Sequence, residues 1–225
     1  MPSTEKVFQS SLLDSVGEFI NQKRIENNAG DDVKFLNVLD FIERFKLFPF
    51  GLFPVQSFII KLYYNIPLDS TTKTIKITDK FNTKTLHTFT EKEYHKYLWD
   101  TGRCNIKEQD FKIRNELILC LGRRSSKSAL SAVFATYELY KLLARGNPQE
   151  YYGIPPGSEI YTFCIANDKD QAAIIFNDMQ GHIEKTDYFK KAIGNMTKTY
   201  MTFRTDSDRK NFGKISSDVR RKIIK

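Results

Sequence analysis

LGRRSSKSAL, residues 121–130, decides how the rest of the chain is read. It closes on the Lys-Ser pair of a phosphate-binding loop, Lys127 and Ser128. The usual pattern, G-x-x-x-x-G-K-[ST], wants a second glycine where Ser126 stands, and Arg123 and Arg124 fill the middle. Phosphates need a nest of backbone N–H groups at a helix N-terminus, a cation and a magnesium ligand. Gly122, Arg123, Arg124, Ser125, Ser126, Lys127 and Ser128 are therefore the candidate phosphate residues. Lys127 would reach the β- and γ-phosphates, and the Ser128 hydroxyl would hold Mg2+. Serine at 126 would cost roughly 1 kcal/mol if its φ is positive.

The flanks fit this reading. ELILCLG (116–122) is a short apolar run entering the glycine, as expected of a buried parallel strand. A long helix over about Lys127–Ala144 follows and stops at RGNP. EIYTFCIA (159–166) reads as the next buried strand, and 168–185 is helical by period. Strand, loop, helix, strand, helix is the opening of an α/β sheet with right-handed crossovers.

Upstream, residues 33–48 carry apolar residues at helical spacing, FPFGLFP breaks the pattern, and a second helix starts after Pro54. KTIKIT and KTLHTFT around DKFN predict a hairpin within 73–90. Thr90 and Glu93 form a capping box for a helix running to Trp99, on which His95 and Trp99 lie four apart as a buried face. Residues 1–32 are expected to be an N-terminal helical arm.

Composition bounds the alternatives. A chain of 225 residues with 40% hydrophobic and 28% charged residues fits one domain with a small appendage. No apolar run of about 18 residues predicts a membrane span, and no signal-peptide pattern opens the chain. Three scattered cysteines without a CxxC point to a reduced, intracellular protein, and three scattered histidines suggest no zinc site. The net charge of +8 is concentrated at residues 204–225, where eight Lys/Arg face three Asp. That segment reads either as a frayed basic tail or as a nucleic-acid contact.

The form G-R-R-S-S-K-S resembles the phosphate loop of the ATPase domain of large terminase subunits, the DNA-packaging motors of tailed bacteriophages. LFPVQSFIIKLYYNIPLD (52–69) is similar to that family's Q-motif segment, and IANDKDQAAIIFNDM (165–179), with Gln171-Ala172, to its segment after the loop. The resemblance covers roughly residues 35–200. It implies an α/β, P-loop NTPase-type sheet with flanking helices over 33–203, a hairpin and helix insertion at about 70–115, and the basic tail 204–225. It also implies ATP and Mg2+ as cofactors, Gln56 at the adenine edge, and Arg123 and Lys127 as the catalytic cations. Arg124 is open between a phosphate contact and a structural ion pair. The implied partners are double-stranded DNA, a portal and a small terminase subunit, in the host cytoplasm.

Hydrolysis on this fold needs an apolar strand ending in Asp, usually followed by Glu. The only strong apolar strand after Lys127 ends in Asn167-Asp168-Lys169, and Asp168 is the one candidate carboxylate. No nuclease domain is visible. The expected ATPase sheet is therefore incomplete at its C-terminus, which predicts pairing with the remaining terminase polypeptide or with other copies. Two alternatives stand beside a motor ATPase: a non-catalytic fragment that binds nucleotide or partners, and a helicase-like P-loop ATPase.

Overall fold

The computed structural model describes residues 35–78, 83–106, 114–122, 125–155 and 158–212. The arm 1–32, Arg123, Arg124 and residues 213–225 of the basic segment lie outside the described residues. The chain divides into two compact units, Leu36–Leu130 and Ser131–Lys225 with Met1–Phe35.

The first unit opens with helix α1 (Val38–Arg44), whose N-cap Asn37 accepts the N–H groups of Leu39 and Asp40. Phe41, fully buried, and Val38 and Ile42 are its inward face. Helix α2 (Pro54–Tyr63) starts at the proline after the break, since Pro fixes φ for a first turn that needs no N–H donor there. Strands β1 (Lys73–Thr78) and β2 (Lys84–Phe89) form the expected antiparallel hairpin, pairing Lys73 with Phe89 and Thr78 with Lys84. Thr90 then caps helix α3 (Glu91–Asp100), with Glu93 reaching back to the Thr90 N–H at 2.7 Å.

Strand alternation does the rest. Ile75 and Ile77 turn inward onto Phe58, Leu68 and Tyr94, and the Phe58 and Tyr94 rings meet edge-on at 5.1 Å. His95 is buried, with Nε2 2.8 Å from the Ile106 carbonyl, so that nitrogen carries the donated proton. Trp99 departs from the expected buried face. It is exposed, because the helix ends one residue later and its last turn passes the edge of the core.

A charged knot is buried beside this core. The Lys61 ammonium, on α2, lies 2.8 and 3.0 Å from the two carboxylate oxygens of Glu91 and 2.9 Å from Asp69. Lys73, on β1, donates to Glu91 at 2.8 Å and to Asp69 at 3.2 Å, and the Asp69 N–H donates to Glu91 at 2.9 Å.

Helix α4 (Lys127–Arg145) ends at Gly146, φ 73°, and the boundary between the units falls within it. In the second unit α4 buries Ala132, Val133, Thr136, Tyr137 and Tyr140. The buried Thr136 hydroxyl is satisfied by the Ala132 carbonyl at 2.7 Å. Helix α5 (Pro148–Tyr152) follows at once, and the Arg145 guanidinium lies over the Tyr151 ring at 3.5 Å and the Phe35 ring at 4.7 Å. Helices α6 (Lys169–Glu184) and α7 (Asp187–Lys190) contribute buried Met179, Ile183 and Phe189. Tyr188 sits between Tyr140 and Phe189, and burial pushes its phenol up to about 12.

A second hairpin, β3 (Ile193–Met196) and β4 (Met201–Phe203), and helix α8 (Asp206–Phe212) complete the described chain. Thr205 and Asp208 cap α8 reciprocally. Gly194 lies at a bulge against β4, where an added Cβ would meet the Thr202 hydroxyl at 2.9 Å and Arg204 Nε at 3.3 Å.

Helices with small antiparallel sheets make this an α/β chain, but the two expected buried strands are corrected. Neither 116–122 nor 159–166 is hydrogen-bonded into a sheet among the described residues. Ile118, Ile160, Tyr161, Phe163 and Ile165 are exposed, Ile165 at 87% and Phe163 at 74%. A parallel strand is buried only when strands flank it and helices cover both faces. The described residues supply no such flanking strands, so the apolar runs take no regular secondary structure and stay partly or wholly exposed.

Candidate nucleotide-binding site

Leu121 and Gly122 end the apolar run, and Ser125 and Ser126 lead into α4. Ser126 has φ 60°, the left-handed region that the glycine of the usual pattern adopts freely. This residue reverses the chain so that α4 begins immediately. Its carbonyl accepts the Leu130 N–H at 3.0 Å, the first turn of the helix. The N–H groups of Lys127, Ser128 and Ala129 precede that bond and have no partner of their own within the helix. Three donors thus converge at the positive end of a 19-residue helix.

The Lys127 side chain folds over the same turn. Its ammonium donates to the Leu121 carbonyl at 2.7 Å and to the Gly122 carbonyl at 3.2 Å. The Ser125 hydroxyl donates to the Gly122 carbonyl at 2.7 Å, so that one oxygen accepts from both side chains. The Ser125 strap was not anticipated from the pattern, where that position is unrestricted. Gly122 is open on its side-chain side, with nothing within 4 Å of a Cβ built there. Lys127 is exposed and Ser128 half-buried. An exposed ammonium, a hydroxyl at the second helical position and three convergent N–H groups are a donor set that fits a nucleoside polyphosphate with Mg2+. Arg123 and Arg124 fall outside the described residues.

Gln56 is in the first unit with this loop, in the first turn of α2. It is buried, and its Oε1 accepts the Phe53 N–H at 2.9 Å, which gives it a helix-capping role. The amide nitrogen keeps both its donors in that arrangement. Asp168, in the second unit, is the N-cap of α6 and accepts the Asp170 N–H at 3.4 Å. Gln171 and Ala172 occupy the first turn after it. Among the described residues no group of three or more His, Cys, Asp or Glu gathers as a metal-binding cluster. No described helix is long and apolar enough to cross a membrane.

A model of the family described as "Uncharacterized protein MJ0330, N-terminal P-loop domain" matches residues 56–219. The chain belongs to this P-loop family. The match begins at Gln56 and takes in the whole loop, α4 and the second unit through α8. Membership implies nucleotide binding. No curated protein and no solved structure matches the chain.

Proposed function

We propose that this P-loop domain binds ATP with Mg2+ and serves as the ATP-binding part of a DNA-packaging motor of the large-terminase type. The observation that carries the ATP part is the turn at Ser126. A positive φ there sets Lys127 and Ser128 at the head of α4, with three helix N–H groups free of intrahelical bonds. When bound, ATP supplies a transferable γ-phosphoryl group whose charge must be neutralised. Lys127 turns from the Leu121 and Gly122 carbonyls to the phosphates, and Ser125 retains the Gly122 carbonyl as the lysine leaves. Ser128 would hold Mg2+, which would supply charge neutralisation at the phosphates, Arg123 would serve the γ-phosphate, and the Gln56 amide nitrogen would serve the adenine.

The motor reading rests on the resemblance of G-R-R-S-S-K-S, the Gln56 segment and Gln171-Ala172 to the terminase pattern, and on the net charge of +8. It brings with it double-stranded DNA, a portal, a small terminase subunit and the remaining terminase polypeptide or other copies as partners, in the host cytoplasm. One observation favours a second reading, a nucleotide- or partner-binding module without turnover. Asp168, the carboxylate in reach of the sequence pattern, is engaged as a helix cap.

The test is ATP binding and steady-state turnover by the purified chain, with and without duplex DNA, beside Lys127→Ala. Binding should weaken about tenfold to hundredfold in the variant, the worth of a charge-assisted hydrogen bond. Equal ATP binding by both proteins would reject the site. ATP binding without turnover, with or without DNA, would select the non-catalytic reading.

A further inference from the structure

The hairpin at 73–89 has a second face that neither the fold nor the nucleotide site uses. Ile75 and Ile77 point into the core, so the register sends Thr74, Lys76, Lys84, Leu86 and Thr88 to the opposite side. These five side chains are exposed, Leu86 at 71%. Lys76 sits directly opposite Leu86, Thr74 opposite Thr88, and Lys84 is two pairs along, the next position on the same face. Side chains in such pairs stand about 5 Å apart. Among the described residues the face therefore presents two cations around one apolar residue, flanked by two hydroxyls, and no acid.

Lys73, the other lysine of β1, makes the comparison. Lys73 turns inward and is neutralised by Glu91 and Asp69. Lys76 and Lys84 make no ion pair among the described residues. Among the described residues the hairpin thus separates its charge, with the ion-paired lysine on one side and two lysines without an ion pair on the other.

We propose that this outer face is a docking surface for duplex DNA. The choice of duplex DNA as the occupant rests on the motor reading above. The surface itself rests on charge complementarity: two ammonium groups without an ion pair among the described residues, on a chain of net charge +8. A two-stranded β-ribbon is narrow enough for the major groove. Lys76 and Lys84 contact phosphates, Thr74 and Thr88 add hydroxyl donors to phosphate oxygens, and Leu86 is covered by the sugar and base edges. Such contacts position the duplex without reading its sequence.

The experiment measures binding of the full chain to a fluorescent 30-base-pair duplex over a salt series. The proteins are wild type, Lys76→Ala/Lys84→Ala and Lys76→Glu/Lys84→Glu, with ATP binding followed in parallel. The alanine pair should weaken duplex binding about tenfold at low salt and lower the slope of log K against log salt by roughly 1.8, two phosphate contacts at 0.9 each. The glutamate pair should weaken it further, and ATP binding should be unchanged in both. Wild-type binding to DNA with equal affinity and slope in the variants overturns the hairpin surface and leaves the motor reading standing. No wild-type binding to DNA at any salt overturns both, while ATP binding separately decides the nucleotide site. Loss of ATP binding together with DNA binding in the alanine pair also overturns the proposal, since it marks damage to the fold.

Discussion

Lys61 and Glu91, thirty positions apart, meet inside the first unit with both carboxylate oxygens within 3.0 Å of one ammonium. Lys61 is 7% exposed and Glu91 3%. Such a pair is stable only when its remaining hydrogen-bonding capacity is met. Lys73, Asp69 and the Asp69 N–H meet it. The pair ties the last turn of α2 to the first turn of α3, and through Lys73 to β1.

Removing one partner should therefore be costly. Glu91→Gln keeps the shape but leaves two lysines facing only Asp69, and should destabilise the chain by about 3 kcal/mol. Burial pushes the Glu91 carboxyl up, but hydrogen bonds from Lys61, Lys73 and the Asp69 N–H outweigh it and hold it below its ordinary 4.5. A hydrogen bond from Lys61 likewise holds Asp69 below 3.8. Depressed carboxylates stabilise the fold fully above their unfolded values and lose that contribution as pH falls through the folded ones. Urea unfolding should show wild type and Glu91→Gln well apart at pH 7 and converging below about pH 4. A constant gap over that range would contradict the account.

Ser126 offers a test of backbone conformation alone. Ser126→Gly removes the Cβ from a position at φ 60° and should bind ATP at least as tightly as wild type. Ser126→Val places a β-branched residue in the left-handed region and should weaken ATP binding by about tenfold, from roughly 1–2 kcal/mol of strain. Equal affinities in both variants would mean that this torsion is not retained when nucleotide binds.

Asp168 separates a cap from a metal ligand. Asparagine caps a helix about as well as aspartate, so Asp168→Asn should leave stability and ATP binding as they are. Asp168→Ala should cost about 1 kcal/mol. A large loss of Mg2+-dependent turnover in Asp168→Asn, without a change in melting temperature, would return this carboxylate to the catalytic site.

At Gly194 the constraint is space. Gly194→Ala should destabilise the second hairpin by about 1–2 kcal/mol, and Thr202→Ala in the same chain should recover part of it by removing the hydroxyl 2.9 Å away. Thermal unfolding of the single and double variants measures that coupling.

Local signals were the legible part of this chain. Pro54, the Thr90–Glu93 box and Gly146 act within a few residues of themselves, and α2, α3 and the end of α4 fall where those residues put them. The hairpin was readable because alternation in 73–78 separates Ile75 and Ile77 from their polar neighbours. The runs 116–122 and 159–166 carry an equally strong apolar pattern, yet pattern alone cannot provide the neighbouring strands that bury it. The charged knot was out of reach for a related reason: Lys61 and Glu91 look like surface residues until the fold joins them. Lys127 and Ser128 are named by the motif, and the structure shows them opening α4. The Ser125 hydroxyl on Gly122 and the capping role of Gln56 required coordinates, because serine and glutamine have many local partners open to them.

The uncovered segment 159–166 has one more consequence, for the lifetime of the chain. A protease binds its substrate as an extended strand, and this stretch lies outside any helix or strand, with its backbone hydrogen bonds unmade among the described residues. Tyr161 and Phe163 are exposed side chains of the kind chymotrypsin-like enzymes select. Degradation should begin there, with a first cut that separates α4 and α5 from α6 and everything after it. Whatever covers these residues when the protein is at work would also decide how long it survives.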